Sequence, residues 1–139
     1  IPDSIEVDFN FRYSTESSDK SLKDRAVQII EKFTSDYKIE WNLSGKPFLT
    51  KSLNLIHLVS NSVEQVVGTK PILSTAGGTS DGRFVAPTGA EVVELGPSNE
   101  TIHKIDECVR LADIEKLSVI YEKILIAINE EKENKLQTK

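Results

Sequence analysis

Residues 5 to 13 alternate without a break: Ile5, Val7, Phe9 and Phe11 fall on one side, and Glu6, Asp8, Asn10 and Arg12 on the other. A spacing of two puts every second side chain on one face of an extended chain, so a half-buried strand is expected here. Between residues 18 and 33 the spacing becomes helical. Leu22, Ala26, Ile29, Ile30 and Phe33 share a face, Ser18 stands where an N-cap belongs, and Asp19 adds a carboxylate to the first turn. Tyr37, Ile39, Trp41 and Leu43 then alternate with Lys38, Glu40 and Asn42. Strand, helix and strand predict a two-layer unit with one solvated sheet face.

Ser44-Gly45-Lys46-Pro47 breaks both periods and marks the expected domain boundary, between residues 1–46 and 47–130. Beyond it, Ile56, Val59, Val63, Val66 and Val67 describe a second amphipathic helix, stopped by Gly68 and Pro71. Ile72-Leu73 and residues 90–95 read as short buried strands. Asp113 is placed to cap a last helix with Leu117, Ile120, Tyr121, Ile124, Leu125 and Ile128 on one face. Residues 131–139 carry no apolar period and are expected to be a disordered polar tail. The expected fold class is α/β, α+β in the first part, with a mixed sheet in the second.

A net charge of −5 over 139 residues, with no basic stripe, argues against a nucleic-acid partner. No run approaches the roughly 18 apolar residues of a membrane span, so no membrane partner is expected either. The single cysteine, Cys108, excludes an internal disulfide framework and suits a reducing cytoplasm. It is expected to be a buried thiol. The sequence opens at Ile1 and contains no methionine, and it reads as a piece of a longer protein.

Two loops carry the polar chemistry. Ile72-Leu73 leads into Ser74-Thr75-Ala76-Gly77-Gly78-Thr79-Ser80-Asp81-Gly82-Arg83-Phe84. Successive backbone N–H groups and hydroxyls with little bulk can wrap an anion, although the same glycines would serve a plain turn. Arg83 beside them favours a carboxylate, which guanidinium pairs bidentately. The segment is neither a Walker A loop nor a GxGxxG fingerprint. Residues 90–95 lead into Gly96-Pro97-Ser98-Asn99-Glu100-Thr101-Ile102-His103-Lys104, which places an amide and an imidazole together. His103 could ligate a metal, exchange protons or serve structure alone. One His and Cys108 cannot close a zinc site that takes three or four ligands. His57 reads as a surface or packing residue. Arg12 could pair with Glu6 or Asp8, or reach a ligand from the strand's polar face. Glu91, Glu94 and Glu107 show no spacing that marks an acid–base couple.

Four separated motifs carry a resemblance. They are Phe9-Asn10-Phe11-Arg12-Tyr13, residues 41–50 from Trp41 to Thr50, Gly77 to Phe84, and Glu94-Leu95-Gly96-Pro97 with Thr101-Ile102-His103-Lys104 and Glu107-Cys108-Val109. Together they resemble the succinyl-diaminopimelate desuccinylase family, hydrolases of the di-zinc aminoacylase and carboxypeptidase type, from Ile1 to about Ile128. The resemblance implies cleavage of N-succinyl-LL-2,6-diaminopimelate to succinate and LL-diaminopimelate. It implies two zinc ions per site, with cobalt an alternative, in a homodimeric bacterial cytoplasmic enzyme. Residues 1–46 would be the second half of a βαβ-type dimerisation or lid domain, and 47–130 the C-terminal part of the catalytic domain. By matching position, His103 would be a metal ligand, and Arg12, Ser44, Gly78, Thr79, Arg83 and Asn99 would line the substrate pocket. The family's other ligands and its general base match nothing here, so these residues alone are expected to be inactive and to hold no zinc stably. The alternatives are a non-catalytic association or dimerisation module that pairs exposed strands, or a related N-acyl-amino-acid deacylase or carboxypeptidase.

Overall fold

A computed structural model of the chain describes residues 2–78, 80–98 and 100–137. It divides into two compact units, Ile1–Leu49 and Thr50–Lys139.

The first unit is built on one helix, α1 (Asp19–Ile30). Its start follows from a reciprocal capping box. The Ser18 hydroxyl accepts from Ser21 N–H at 3.0 Å, and Ser18 N–H donates to the Ser21 hydroxyl at 3.1 Å. Two of the four N–H groups that a helix start leaves without partners are thereby satisfied. The expected strands on either side of α1 do not form. Among the described residues, the segments of residues 5–13 and 37–43 exchange no backbone ladder hydrogen bonds. They meet through rings instead. Phe9 and Phe11 lie edge-on at 5.6 Å, Phe9 and Trp41 edge-on at 5.8 Å, and Phe11 stacks on Trp41 at 6.4 Å. Lys23 Nζ stands 6.0 Å from the Trp41 ring. Phe9, Phe11 and Trp41 come together, but Ile5 and Val7 of the expected apolar face are exposed, at 87% and 66%; a strand also needs a backbone partner in register, and side-chain periodicity carries no information on that. Phe33, expected on the helix face, falls in the turns after α1 and is 85% exposed.

The second unit packs α2 (Leu53–Val67) against α4 (Leu111–Gln137). Val59 and Val63 from α2 interleave with Ile120 and Ile124 from α4, and these four are the buried apolar core among the described residues. Asn54 Nδ2 donates to Glu131 Oε2 at 2.6 Å, and Lys123 Nζ donates to Gln65 Oε1 at 3.1 Å. The two helices therefore run antiparallel. Ser62, buried among the apolar residues, satisfies its hydroxyl on Leu58 C=O at 2.8 Å. Gly68 ends α2 with φ +84, a left-handed C-cap in which a side chain would be strained.

Residues 90–95 form no strand either, and side chains clip their backbone to the helices. The Thr50 hydroxyl donates to Val92 C=O, and the Tyr121 hydroxyl to Leu95 C=O at 2.7 Å. The Glu91 carboxylate accepts from Leu55 N–H at 3.0 Å in the first turn of α2, where a negative charge is favoured. Val93 and Leu95 pack on the α2–α4 core. Ile72 and Leu73, expected in a buried strand, are exposed, Ile72 at 92%. The α/β expectation is thus replaced by a helical fold with no strand among the described residues. Residues 131–137 correct the reading of a disordered tail, because they continue α4. Their support is polar contacts at helical spacing: Lys135 pairs with Glu131 at 2.9 Å, and Asn129 donates to Glu133 at 3.0 Å. Asp113 lies inside the first turn of α4 and accepts from Arg110 Nε at 2.8 Å, so it is not the cap residue.

Candidate functional site

The glycine-rich loop is organised by its own hydroxyls. Ser74 Oγ accepts from Ala76 N–H at 2.9 Å, and Ser80 Oγ from Gly82 N–H at 2.9 Å. Such turns fold the backbone back on itself without secondary structure. Gly77 adopts φ +146, a conformation only glycine takes readily. Gly78 is exposed and open on all sides, since a Cβ there would meet nothing within 4 Å. Thr79 lies outside the described residues.

The chain then coils into α3 (Gly82–Val85) and a 3-10 turn (Ala86–Thr88). Arg83 sits in α3 with its guanidinium carbon 4.7 Å from the Phe84 ring. Its Nε is buried without a hydrogen-bond partner among the described residues. A buried N–H donor left unpaired on a charged fork is the feature a carboxylate would satisfy.

Thr101 to Cys108 form a second organised loop. Lys104 N–H donates to Thr101 C=O at 3.0 Å, which closes a four-residue turn with His103 at its third position. His103 has φ +61 and Asp106 φ +62, the two non-glycine residues with positive φ among those described. Turns with positive φ at the third position ordinarily place glycine or asparagine there. The Thr101 hydroxyl donates to Cys108 C=O at 2.8 Å and accepts from Cys108 N–H at 3.0 Å. His103 N–H reaches the Glu107 carboxylate at 3.4 Å. Cys108 is exposed, contrary to the buried thiol expected. A cavity of about 180 Å³ opens beside the loop, lined in part by Thr101, Cys108, Arg110 and Asp113. The hydrogen bond and the charge of Asp113 hold the Arg110 pKa above its ordinary value.

These loops do not assemble a complete metal centre. His103 is exposed, and among the described residues no three His, Cys, Asp or Glu side chains are grouped to hold an ion. The expected zinc therefore does not fit this donor set by itself, as zinc takes three or four ligands. Asn99 lies outside the described residues. Arg12 and Ser44 belong to the first unit, and both are exposed. Arg12 forms no ion pair with Glu6 or Asp8 among the described residues. His57 is exposed on α2, as a surface residue would be. In the sequence Thr101 belongs to the Thr101-Ile102-His103-Lys104 motif without a role of its own, and Glu107 shows no spacing that marks an acid–base couple. Thr101 reads as ordinary loop polarity, and only the fold shows its hydroxyl meeting both backbone groups of a residue seven positions away.

The profile of peptidase family M20/M25/M40 matches residues 3–127. Among curated proteins, the chain is 56% identical over 127 residues to the succinyl-diaminopimelate desuccinylase of Hydrogenovibrio crunogenus, covering 91% of the chain and 34% of that protein. It is 52% identical over 128 residues to the succinyl-diaminopimelate desuccinylase of Marinobacter nauticus, covering 92% of the chain and 34% of that protein. Succinyl-diaminopimelate desuccinylase 2 of Alteromonas mediterranea is 54% identical over 125 residues, 90% of the chain and 33% of its own length. The chain thus spans about a third of the length of the curated relatives it matches.

Proposed function

Because the chain belongs to peptidase family M20/M25/M40, we propose that it is the C-terminal part of a succinyl-diaminopimelate desuccinylase. The observation that carries this reading is identity of 52–56% with proteins of that name over nine-tenths of the chain. The reaction divides N-succinyl-LL-2,6-diaminopimelate at its amide bond. Water supplies hydroxide to the succinyl carbonyl and a proton to the departing amine, which yields succinate and LL-diaminopimelate.

The family is generally metal-dependent, and zinc, with cobalt as an alternative, is the metal we assign. His103, with donors elsewhere in a longer polypeptide, would hold such a metal, which would supply polarisation of the amide carbonyl and a lowered pKa for water. This chain's own contribution is narrower. His103 offers one imidazole nitrogen, and the remaining donors are assigned to the rest of a longer polypeptide. Arg83 has an unpaired buried Nε on a guanidinium that stands over Phe84, which supports a role in holding a substrate carboxylate. Arg12, Ser44, Gly78, Thr79 and Asn99 are assigned to binding of the substrate. Residues 1–46 are assigned to a lid domain through which two copies pair, and the enzyme to the bacterial cytoplasm.

The test compares three proteins: a longer polypeptide carrying the preceding two-thirds found in the relatives, its His103→Ala variant, and the 139-residue chain. The longer polypeptide is expected to bind zinc and release succinate from N-succinyl-LL-2,6-diaminopimelate. The variant is expected to lose bound zinc and activity, and the 139-residue chain to release no succinate. Undiminished zinc in the variant would overturn the role of His103. Succinate release by the short chain would overturn the assignment of the activity to the longer polypeptide.

A further inference from the structure

We propose that Asp81-Gly82 is a backbone isomerisation site, where aspartate passes through a cyclic succinimide to isoaspartate, and that the Ser80 hydroxyl holds it closed. The inference concerns this chain's own backbone and does not depend on the activity assigned to a longer polypeptide. Asp81-Gly82 is the one aspartate–glycine pair in the sequence, and no asparagine precedes a glycine. Glycine has no Cβ, so nothing of residue 82 itself shields the amide nitrogen that follows Asp81. Asp81 is exposed, and although it stands at the N-cap of α3 its carboxylate makes no capping hydrogen bond. Carboxyl and amide nitrogen are thus adjacent, with the carboxyl open to attack.

In the cyclisation the Gly82 nitrogen attacks Asp81 Cγ. An N–Cγ bond forms, the nitrogen gives up its proton, and the protonated carboxyl loses its hydroxyl, so one water leaves. Water then opens the ring at either carbonyl. Opening at Cγ restores aspartate. Opening at the main-chain carbon leaves the backbone running through Cγ, with the former Asp81 C=O a free carboxylate. No oxidant or reductant enters. Ring closure needs the Gly82 nitrogen on the Cβ side of the Asp81 Cα–C bond, and at ψ −11 it nearly eclipses the Asp81 nitrogen instead. The peptide plane between residues 81 and 82 must therefore turn, and it is held at both of its polar groups. Gly82 N–H donates to Ser80 Oγ at 2.9 Å, and Asp81 C=O accepts from Phe84 N–H at 2.9 Å. The Ser80 bond falls on the attacking nitrogen itself, where it fixes the plane and engages the proton that must be lost.

The test warms the 139-residue chain and its Ser80→Ala and Ser80→Thr variants at neutral pH, each folded and each unfolded in guanidinium chloride. Isoaspartate at position 81 is read by endoproteinase Asp-N, which cuts before aspartate and not before isoaspartate, and the succinimide by mass spectrometry as a loss of one water. The folded parent is expected to form isoaspartate about 5- to 100-fold more slowly than the unfolded parent, because both hydrogen bonds must open first. Folded Ser80→Ala is expected to react about two- to tenfold faster than the folded parent. Folded Ser80→Thr, which keeps a hydroxyl, is expected to stay near the parent, and the three unfolded chains to agree. Equal rates in the folded and unfolded parent overturn the protection, and that comparison needs no variant. Equal rates in the folded parent and Ser80→Ala, or equal acceleration in the Ala and Thr variants, overturn the role of the hydroxyl. Isoaspartate at other aspartates of the unfolded chain and none at position 81 overturns the site.

Discussion

Replacing His103 by glycine and by alanine tests whether its backbone is held where side chains are disfavoured. At φ +61 a Cβ costs about 1–2 kcal/mol relative to glycine. The freer unfolded chain of glycine offsets about 0.4–1 kcal/mol of that gain. Both variants lack the imidazole, so its own contacts cancel in the comparison. The glycine variant should therefore be more stable than the alanine variant by about 0.5–1 kcal/mol. At the neighbouring Ile102, which is not among the residues with positive φ, the same pair should come out in the opposite order, alanine ahead by about 0.4–1 kcal/mol. Urea unfolding followed by far-ultraviolet circular dichroism reads the difference. With a slope of about 1–2 kcal/mol/M, the glycine midpoint should lie about 0.3–1 M above the alanine midpoint. Matching slopes would show that the variants differ in stability and not in the extent of unfolding. Alanine at position 103 as stable as glycine, or more so, would refute the claim that this loop holds its histidine in a disfavoured conformation.

Two other perturbations follow from the packing. Ile120 is 5% exposed at the α2–α4 contact, so Ile120→Ala should destabilise the chain by about 2–4 kcal/mol, whereas Leu125→Ala, at a position 67% exposed, should cost less than about 0.5 kcal/mol; equal losses in urea unfolding would contradict the assigned core. The Asn54 amide and then Lys135 hold the Glu131 carboxyl below its ordinary value of 4.5. The contact should thus contribute stability above that pH and lose it as pH falls through the lower folded value. In an NMR titration, Asn54→Ala should move the Glu131 midpoint up toward 4.5, and an unmoved midpoint would refute the pairing.

Helices were legible where the local chemistry is complete within a few residues. Ser18 and its partner Ser21 lie one turn apart, and Gly68 can stop α2 by itself, so the chain announces both ends. The strands do not form because alternation at residues 5–13 and 37–43 says nothing of backbone pairing; Phe9, Phe11 and Trp41 meet through their rings, while Ile5 and Val7 stay exposed. Residues 131–137 lack an apolar stripe, yet an ion pair and an amide–carboxylate hydrogen bond, each at a spacing of four, support the helix. In the candidate site, His103 was visible as an imidazole in a polar loop. Its left-handed backbone was not, because histidine does not advertise that conformation as glycine does. The contact of the Thr101 hydroxyl with the Cys108 backbone is invisible for a related reason, since it joins residues seven apart in a way that no helical or extended period predicts.

Trp41 is the chain's one tryptophan, and it lies in the first unit among Phe9, Phe11 and Lys23. The long helices α2 and α4 lie wholly in the second. Nature has thus labelled the halves with different colours: indole emission follows the loss of one, and helical ellipticity chiefly follows the loss of the other. A single melt recorded in both channels reads whether the two halves come apart together or in turn, with no dye attached.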